Sequence, residues 1–401
     1  VRVLNVVSLG YPAGGAETHV RDLSIVLRER GHIVTTLASD EGPAQERFAD
    51  LSFRQLPAHG LRKIGSTLYN TDARRQLRSA LATFRPDVVL LHTLQQVTPA
   101  PLFELKRVPT VLLVHGPEIY TKSLLNWSLL ASDYRLPQRR RMLDLTPGGL
   151  VHYAFYRLVC RPVYRAGFHN VDEVVAYSAY MQDLLRGEGL PASYIPLGVQ
   201  LFQPQPLPPG PPVVLFVGRL EAEKGVFTLL SAYKDLLSAL PSARLVFAGN
   251  GKDRDRLMAE ASGLQPPVKF LGHVSRDQLP DVYAGSTIVV MPSVFVEAFG
   301  KVGPEALSSG RPVIASDSGG VREWLKPGKN GLLVGPGDVA QLTAAMLALL
   351  TDEGALARMA NDAPGSVGHL SIQVHAERFE RLLQDVVARS LVSLGPSGGD
   401  K

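Results

Sequence analysis

The chain is poor in the features that staple or anchor a fold. Cys160 is the single cysteine among 401 residues, so no disulfide can form within the chain, which favours a reducing compartment. No uninterrupted apolar run approaches the roughly 18 residues that span a bilayer. The sequence starts on the apolar stretch VRVLNVV, without the basic region and cleavage site of an export signal. A cytoplasmic protein is the expectation. The Gly-x-Gly-x-x-Gly fingerprint of dinucleotide folds is missing, and no clustered His and Asp spacing points to a metal centre. No repeat of fixed period is found.

What is present is an ordinary globular composition, 45% apolar and 20% charged. The length calls for two domains of about 150–200 residues each. Net charge is +5, but unevenly spread: residues 1–190 carry 23 Lys and Arg against 17 Asp and Glu, and the remainder 19 against 20. A basic first half suits a phosphorylated acceptor, an anionic membrane face or a nucleic acid. The plainer reading is a solvated basic surface.

Short apolar runs alternate with amphipathic stretches. VRVLNVVSL, IVTTLAS, DVVLLHT, TVLLVHG and EVVAYS read as buried strands, and GGAETHVRDLSIVLRERGH as a helix ending near Gly31. Residues 117–170 are mostly helical in composition and contain QRRRML. FQPQPLPPGPP, residues 202–212, holds six prolines and reads as a stiff linker. Beyond it VVLFVG, RLVFAG, VKFLG, STIVVMP, RPVIAS and GLLVG restart the alternation. The expected organisation is an α/β domain over 1–201, the linker over 202–212, a second α/β domain over 213–370, an amphipathic helix over 371–391 and a disordered tail over 392–401. Both domains should carry parallel sheets covered on both faces, with a cleft implied between them.

In such sheets ligands gather where strands end. The turn PAGGAE places Gly14 and Gly15 before a helix, where N–H groups attract phosphate, although a glycine pair is often only steric relief. Arg219 and Lys224 follow the strand that closes on Gly218; a guanidinium fork and an ammonium suit a diphosphate, and a solvated charged loop is the bland alternative. Two further strands close on Gly249 and Gly272, where a flat ligand can approach the backbone. His115 ends a strand of the first domain; a lone histidine is more often structural. The stretch VEAFGKVGPEA sets Glu297 and Glu305 eight positions apart around Gly300, Gly303 and Pro304. Pro304 fits a first helical position and Glu305 the first turn beside free N–H groups. Each carboxylate suits sugar hydroxyls, while a dipole-stabilised surface acid is the alternative for Glu305. ASDSGGVREWL repeats the pattern of strand, glycine pair and helix start, with Glu323 in that first turn.

The order of these pieces resembles the retaining glycosyltransferases of family 4, which have the two-domain GT-B fold. GGAETHV, VHG, YIPLGVQLF, FVGRLEAEKG, FAGNG, FLGHVS, EAFGKVGPEALSSGRPVIAS and GGVREWL occur in that family's order across nearly all of the chain. Residues 297–305 look like its Glu-x7-Glu motif. The resemblance implies two Rossmann-like domains, with the C-terminal helix crossing back onto the first. It implies a nucleotide-sugar donor, UDP favoured over GDP, with no other cofactor and no metal. Glu305 would bind the ribose and Glu297 the donor sugar. N–H groups of Phe299, Gly300 and Lys301, with Val302 beside them, would hold the sugar and diphosphate. Arg219 and Lys224 would neutralise the diphosphate. Asn250 and the turn Gly272, His273, Val274 would lie by the nucleotide, Gly15 over the phosphates, and His115 beside the reacting carbon. His115, Arg219, Lys224 and Glu297 are thus the catalytic candidates. Leu197, Gln200 and the pair Gly303–Pro304 depart from the family's usual residues.

The acceptor is a hydroxyl of a sugar, a lipid-linked sugar or a small molecule. No nucleic acid is expected. The basic half leaves peripheral contact with an anionic membrane open. The alternatives are a sugar-nucleotide epimerase on the same fold, a non-catalytic nucleotide-sugar-binding protein and an NAD-dependent dehydrogenase using PAGGAE and Asp40.

Overall fold

The computed structural model describes residues 1–55, 69–94, 97–116 and 156–393. The described residues form two compact units, Val1–Gly198 together with the chain from Ile372, and Val199–Ser371.

In the first unit, β1 (Arg2–Leu9), β2 (Ile33–Ser39), β3 (Leu51–Phe53), β4 (Val88–Leu91), β5 (Thr110–Val114), β6 (Glu173–Ala176) and β7 (Ser193–Tyr194) form one parallel sheet in the order 3-2-1-4-5-6-7. The five longer strands are those legible as apolar runs, because parallel strands buried on both faces need Val, Ile and Leu throughout. The edge strands β3 and β7, of three and two residues, carry no such run and escape a sequence reading. Order reverses between β1 and β4, and that switch point opens a crevice beyond the carboxyl ends of the strands.

The second unit repeats the plan. Strands β8 (Val213–Val217), β9 (Arg244–Ala248), β10 (Lys269–Gly272), β11 (Ile288–Met291), β12 (Val313–Ser316) and β13 (Gly331–Val334) are parallel in the order 10-9-8-11-12-13. Its switch point lies between β8 and β11. One sheet face carries Val214, Phe216, Leu245 and Phe247, buried against Leu229 and Tyr233 of helix Val226–Ala239 and Leu342 and Met346 of helix Val339–Thr351. The proline-rich stretch lies against the 308–311 turn: Arg311, fully buried, donates to the carbonyls of Gln205 (3.1 Å) and Pro206 (2.8 Å).

Two expectations are corrected. Pro304 is the third residue of helix Val302–Ser308 rather than the first. It is tolerated because first-turn N–H groups have no partner inside the helix. GGVREWL does not start an α-helix: Gly319–Glu323 is a single 3-10 turn with Glu323 at its end. The helical reading of 117–170 falls mostly outside the described residues, as do QRRRML and residues 394–401. Within it, Arg161–Gly167 is helical. Among the described residues no single helix is long and apolar enough to cross a bilayer.

The C-terminal helix, Ile372–Ser393, belongs to the first unit and packs on helix Gly15–Glu29. Its stripe Ile372, Ala376, Phe379, Leu383 and Val386 is buried at alternating steps of four and three, the spacing of one helical face. His375 Nδ1 sits 2.8 Å from the Pro196 carbonyl. Glu380 accepts from Arg30 (2.6 Å) and pairs with His32 (2.8 Å). The hydrogen bond from Arg30, more than any other influence, holds its carboxyl down at about 2. Burial outweighs this bridge: Phe379→Ala is expected to cost about 3–5 kcal/mol and Glu380→Gln about 1 kcal/mol. Because the folded carboxyl is depressed, its contribution is complete above the unfolded value of about 4.3 and fades as pH falls toward about 2. Urea unfolding of both variants at pH 7 and pH 4 checks the ranking and the sign.

Candidate active site

The charged residues singled out in the second unit converge at its switch point. Gly218 follows β8, and Arg219 comes next as a half-exposed side chain. Its two terminal nitrogens donate to Glu221 (2.7 Å) and Glu223 (2.8 Å). Lys224 closes the short 3-10 turn Ala222–Lys224 and reaches Oε1 of Glu297 at 2.7 Å. The Ser293 hydroxyl donates to the same oxygen at 2.6 Å. The loop behind β11 is bound to the loop behind β8 through its backbone as well, since N–H groups of Val294 and Phe295 donate to the Glu223 carbonyl.

Glu297 is a buried carboxylate, 9% exposed, and not a loose loop acid. Burial pushes its carboxyl up. The Lys224 ammonium, the Lys224 and Ser293 hydrogen bonds and the more distant Arg219 together outweigh that, and the net value lies below the ordinary carboxylate range. Its backbone is held too. The Gly320 N–H donates to the Glu297 carbonyl at 2.8 Å. Gly319 has φ +60°, and a Cβ there would stand 2.0 Å from that same oxygen. The glycine pair of ASDSGG therefore seats Glu297.

The turn between the two glutamates rests on Trp324. Its indole N–H donates to the Phe299 carbonyl at 2.6 Å, and its ring fills the space where a Gly303 Cβ would sit, 2.2 Å from the nearest carbon. That contact explains the glycine at 303. Gly300, Lys301 and Val302 lead into helix Val302–Ser308, with Lys301 at its cap. Glu305 is in the first turn, as expected, but it is buried and not a surface acid. The Tyr283 hydroxyl donates to its Oε2 at 3.1 Å. Burial first, then the Glu305 charge, push that phenol well above its usual range, so it stays a donor.

Farther along the sheet, the turns after β9 and β10 are joined. The Gly249 N–H donates to the Gly272 carbonyl at 2.7 Å. With its amide turned to the orientation its neighbours require, Asn250 donates to the Gly249 carbonyl (3.2 Å) and accepts from the His273 N–H (3.3 Å). A groove of about 500 Å³ runs below this turn, lined by His273, Val274, Leu271, Leu215 and Val213. It extends toward the amino ends of the strands, and Arg219, Lys224, Glu297 and Glu305 do not line it.

Gly14, Gly15 and His115 lie in the first unit. Gly14 is the extended cap and Gly15 the first residue of helix Gly15–Glu29. His115 follows β5, half-buried, with its Nε2 3.0 Å from Nδ1 of His92. Asp40 is exposed and accepts from the Gln55 N–H at 2.8 Å, the contact of a strand edge. Leu197 is buried, and Gln200 accepts from Arg276 at 2.6 Å. Among the described residues no group of three His, Cys, Asp or Glu side chains converges to hold a metal ion.

Sequence reasoning assigned no role to Ser293, Tyr283, Trp324, Glu221, Glu223 or His92. Ser293 closes the run STIVVMPS and stands four residues before Glu297, a local signal. Tyr283 and Trp324 meet their partners only through the tertiary fold. The prediction here concerns Lys224. Lys224→Met leaves Glu297 buried without its cation and is expected to cost about 3 kcal/mol at pH 7. The double variant with Glu297→Gln should recover most of that loss. Without Lys224, burial leaves the Glu297 carboxyl above its ordinary value, so the cost of Lys224→Met should begin to shrink above about 4.3 as the variant takes up a proton, and shrink further below it as the depressed carboxyl of the unaltered chain does the same. Urea unfolding of the three variants measures both effects.

Comparison with known proteins places this geometry among relatives. Residues 13–201 match the family described as Glycosyltransferase Family 4, and residues 200–365 the family described as Glycosyl transferases group 1. The chain is 27% identical to the D-inositol 3-phosphate glycosyltransferase of Corynebacterium jeikeium, over 93% of this chain and 92% of that one. It is 30% identical to a GDP-mannose-dependent alpha-mannosyltransferase of Mycobacterium tuberculosis, over 78% of each. Among solved structures it is similar to Anabaena HepE in complex with UDP and glucose, with a TM-score of 0.70, 21% identity, and 95% of this chain and 99% of that one covered.

Proposed function

The chain belongs to the glycosyltransferases of family 4 and has their GT-B fold, and on that footing we propose a retaining, metal-independent transfer of a hexose-type sugar from a nucleotide diphosphate to a hydroxyl acceptor. The observation that carries the reading is the cluster at the carboxyl ends of β8 and β11, where two cations and two buried carboxylates lie at a switch point.

In the reaction the bond from the anomeric carbon to the leaving phosphate oxygen breaks. Negative charge grows on the diphosphate as the sugar becomes oxocarbenium-like. Arg219 and Lys224 neutralise that charge where it develops, the role a metal ion would otherwise fill. The acceptor attacks from the face the diphosphate leaves, and a phosphate oxygen takes its proton. No side-chain base is then needed.

Each cation already has a carboxylate partner, and the two differ in depth. Arg219 is half-exposed and free to turn toward phosphate, while its partners Glu221 and Glu223 are largely covered, so the exchange sets the new phosphate contacts against two carboxylates that lose their cation. The Lys224–Glu297 pair is more enclosed and stays as the floor of the site. Lys224 and Ser293 both bond to Oε1 of Glu297, and the proposal assigns Oε2 to a hydroxyl of the donor sugar. Glu305, oriented by Tyr283, takes the ribose diol. Backbone N–H groups of Phe299, Gly300, Lys301 and Val302 face the sugar and diphosphate, and Asn250, Gly272, His273 and Val274 the base. Gly14 and Gly15 serve the phosphates, and His115 the reacting sugar.

UDP is our choice of nucleotide. HepE with bound UDP supports it, while the mycobacterial relative's GDP-mannose makes GDP the competitor. The acceptor is a hydroxyl of a sugar, a lipid-linked sugar or a small molecule. The basic first half supports an anionic acceptor or peripheral contact with an anionic membrane on the cytoplasmic side. Co-sedimentation no better with anionic than with neutral vesicles removes the membrane contact.

A thermal-shift panel of UDP, GDP and their sugars tests the donor, because a true ligand stabilises by mass action. UDP-sugars should raise the melting temperature most, and no shift with any of them defeats the reading. Arg219→Ala takes the cation from Glu221 and Glu223 and should lower the melting temperature of the free protein while leaving it folded, and lower kcat/KM for donor hydrolysis by about 100- to 1000-fold. An α-configured product from an α-configured donor, read by proton NMR, is the expected stereochemistry.

A further inference from the structure

Residues 199–206 belong to the second unit, ahead of its first strand. They are tied down along their length. The Val199 N–H donates to the Leu370 carbonyl at 2.8 Å, and the Gln205 N–H to the Ser309 carbonyl at 3.2 Å. The Gln205 and Pro206 carbonyls accept from the buried Arg311. Between these anchors stands Phe202, half-buried, with two contacts that both lead to Glu305.

The first contact runs through the main chain. The Ser308 hydroxyl donates to the Glu305 carbonyl at 2.8 Å, and its oxygen accepts from the Phe202 N–H at 2.9 Å. The second runs through side chains. The Phe202 and Tyr283 rings lie 5.8 Å apart, centroid to centroid, tilted by 38°, within the range of attractive aromatic pairs. The Tyr283 hydroxyl in turn donates to Oε2 of Glu305 at 3.1 Å. Phe202 thus touches one support of the Glu305 backbone and one of its carboxylate. The place of Tyr283 makes the second contact count. It belongs to the six-residue helix Leu279–Ala284, and Asp281 and Val282 of that helix line the groove of about 500 Å³. The helix is open on that side, so its seating leans on the fully buried Tyr283. A hydrogen bond weakens steeply when its donor turns away, and the Phe202 ring is what stands in the way of such a turn on its side.

We propose that Phe202 is a positioning residue for recognition of the ribose. It holds the Tyr283 ring so that the phenol hydroxyl keeps the Glu305 carboxylate aimed at the 2′- and 3′-hydroxyls of the nucleotide. The proposal rests on the assignment of Glu305 to the ribose diol. It goes beyond that assignment by naming a residue ahead of the first strand of the unit that sets how strongly the diol is preferred. Neither path from Phe202 passes through Arg219, Lys224 or Glu297, so its effect falls on the ribose and not on the diphosphate.

The test is calorimetric titration of the whole chain with UDP and with 2′,3′-dideoxy-UDP, which keeps the base and the diphosphate and lacks the diol (or with the matching guanosine pair, should the chain prefer GDP). The unaltered chain should prefer the nucleotide with the diol by about tenfold or more, the worth of a hydrogen bond to a charged group. Phe202→Ala should remove most of that preference by weakening UDP, with the dideoxy nucleotide bound as before. Phe202→Tyr, which keeps the ring, should retain it. Tyr283→Phe, which keeps the ring pair and loses the hydroxyl, should also remove it, and adding Phe202→Ala to Tyr283→Phe should remove no more. A folded Phe202→Ala that keeps the full preference overturns the proposal. So does one that weakens both nucleotides alike, the mark of a merely structural role. Tyr283→Phe with an unaltered preference overturns it without Phe202→Ala having to fold. If the unaltered chain binds both nucleotides equally, the assignment of Glu305 to the ribose fails, and the proposal with it.

Discussion

The second unit is organised around one ion pair. Lys224 and Glu297 stand 2.7 Å apart, on loops that leave different strands and are 73 positions apart in the chain. A carboxylate that deep is unfavourable alone and tolerable only when paired and hydrogen-bonded. Lys224 and Ser293 satisfy one of its oxygens, and Gly320 holds its backbone. The loop after β8 thus cannot move independently of the loop after β11. Arg219, five residues before Lys224, and the turn 299–302, just after Glu297, leave from the two ends of the same constraint.

The turn itself depends on packing rather than charge. Trp324 lies beneath it, bonded to the Phe299 carbonyl and pressed against Gly303. A larger residue at 303 and this indole exclude each other. What makes the stretch from Glu297 to Glu305 distinctive is therefore a rigid support for two carboxylates with different partners, a cation for Glu297 and a phenol for Glu305. Neither is arranged as an acid/base pair for moving a proton. Both are oriented acceptors, which suits hydroxyl-rich ligands.

Much of this was legible in the sequence because the determinants are local. Eleven strands announce themselves as apolar runs, since both faces of a parallel sheet are buried. The cations and carboxylates stand just after those runs, where open α/β sheets put ligands. What stayed hidden depends on contacts between distant segments. Strands β3 and β7 are too short to show a pattern. Pro304 looks like a helix start from local rules, although the helix begins two residues earlier. Nothing local marks Glu305 as buried, because Tyr283 and the sheet cover it. Arg219 reads as an open phosphate fork, yet Glu221 and Glu223, two and four residues on, already occupy it. The contacts that link Ser24, Asn5, His92 and His115 join a helix, a strand and the ends of two more, and no spacing in the sequence reveals them.

The central claim is that side-chain cations, not a metal ion, receive the donor's diphosphate at the switch point of the second sheet. Calorimetric titration of UDP, with GDP in parallel, in the presence of EDTA and again with Mg2+, tests it most directly. The account predicts one site per chain, the same dissociation constant in EDTA as in Mg2+, and binding weakened roughly 100-fold, or about 2.7 kcal/mol, in Lys224→Gln. Binding that appears only with Mg2+, or a folded Lys224→Gln that binds as tightly as the unaltered chain, would contradict it.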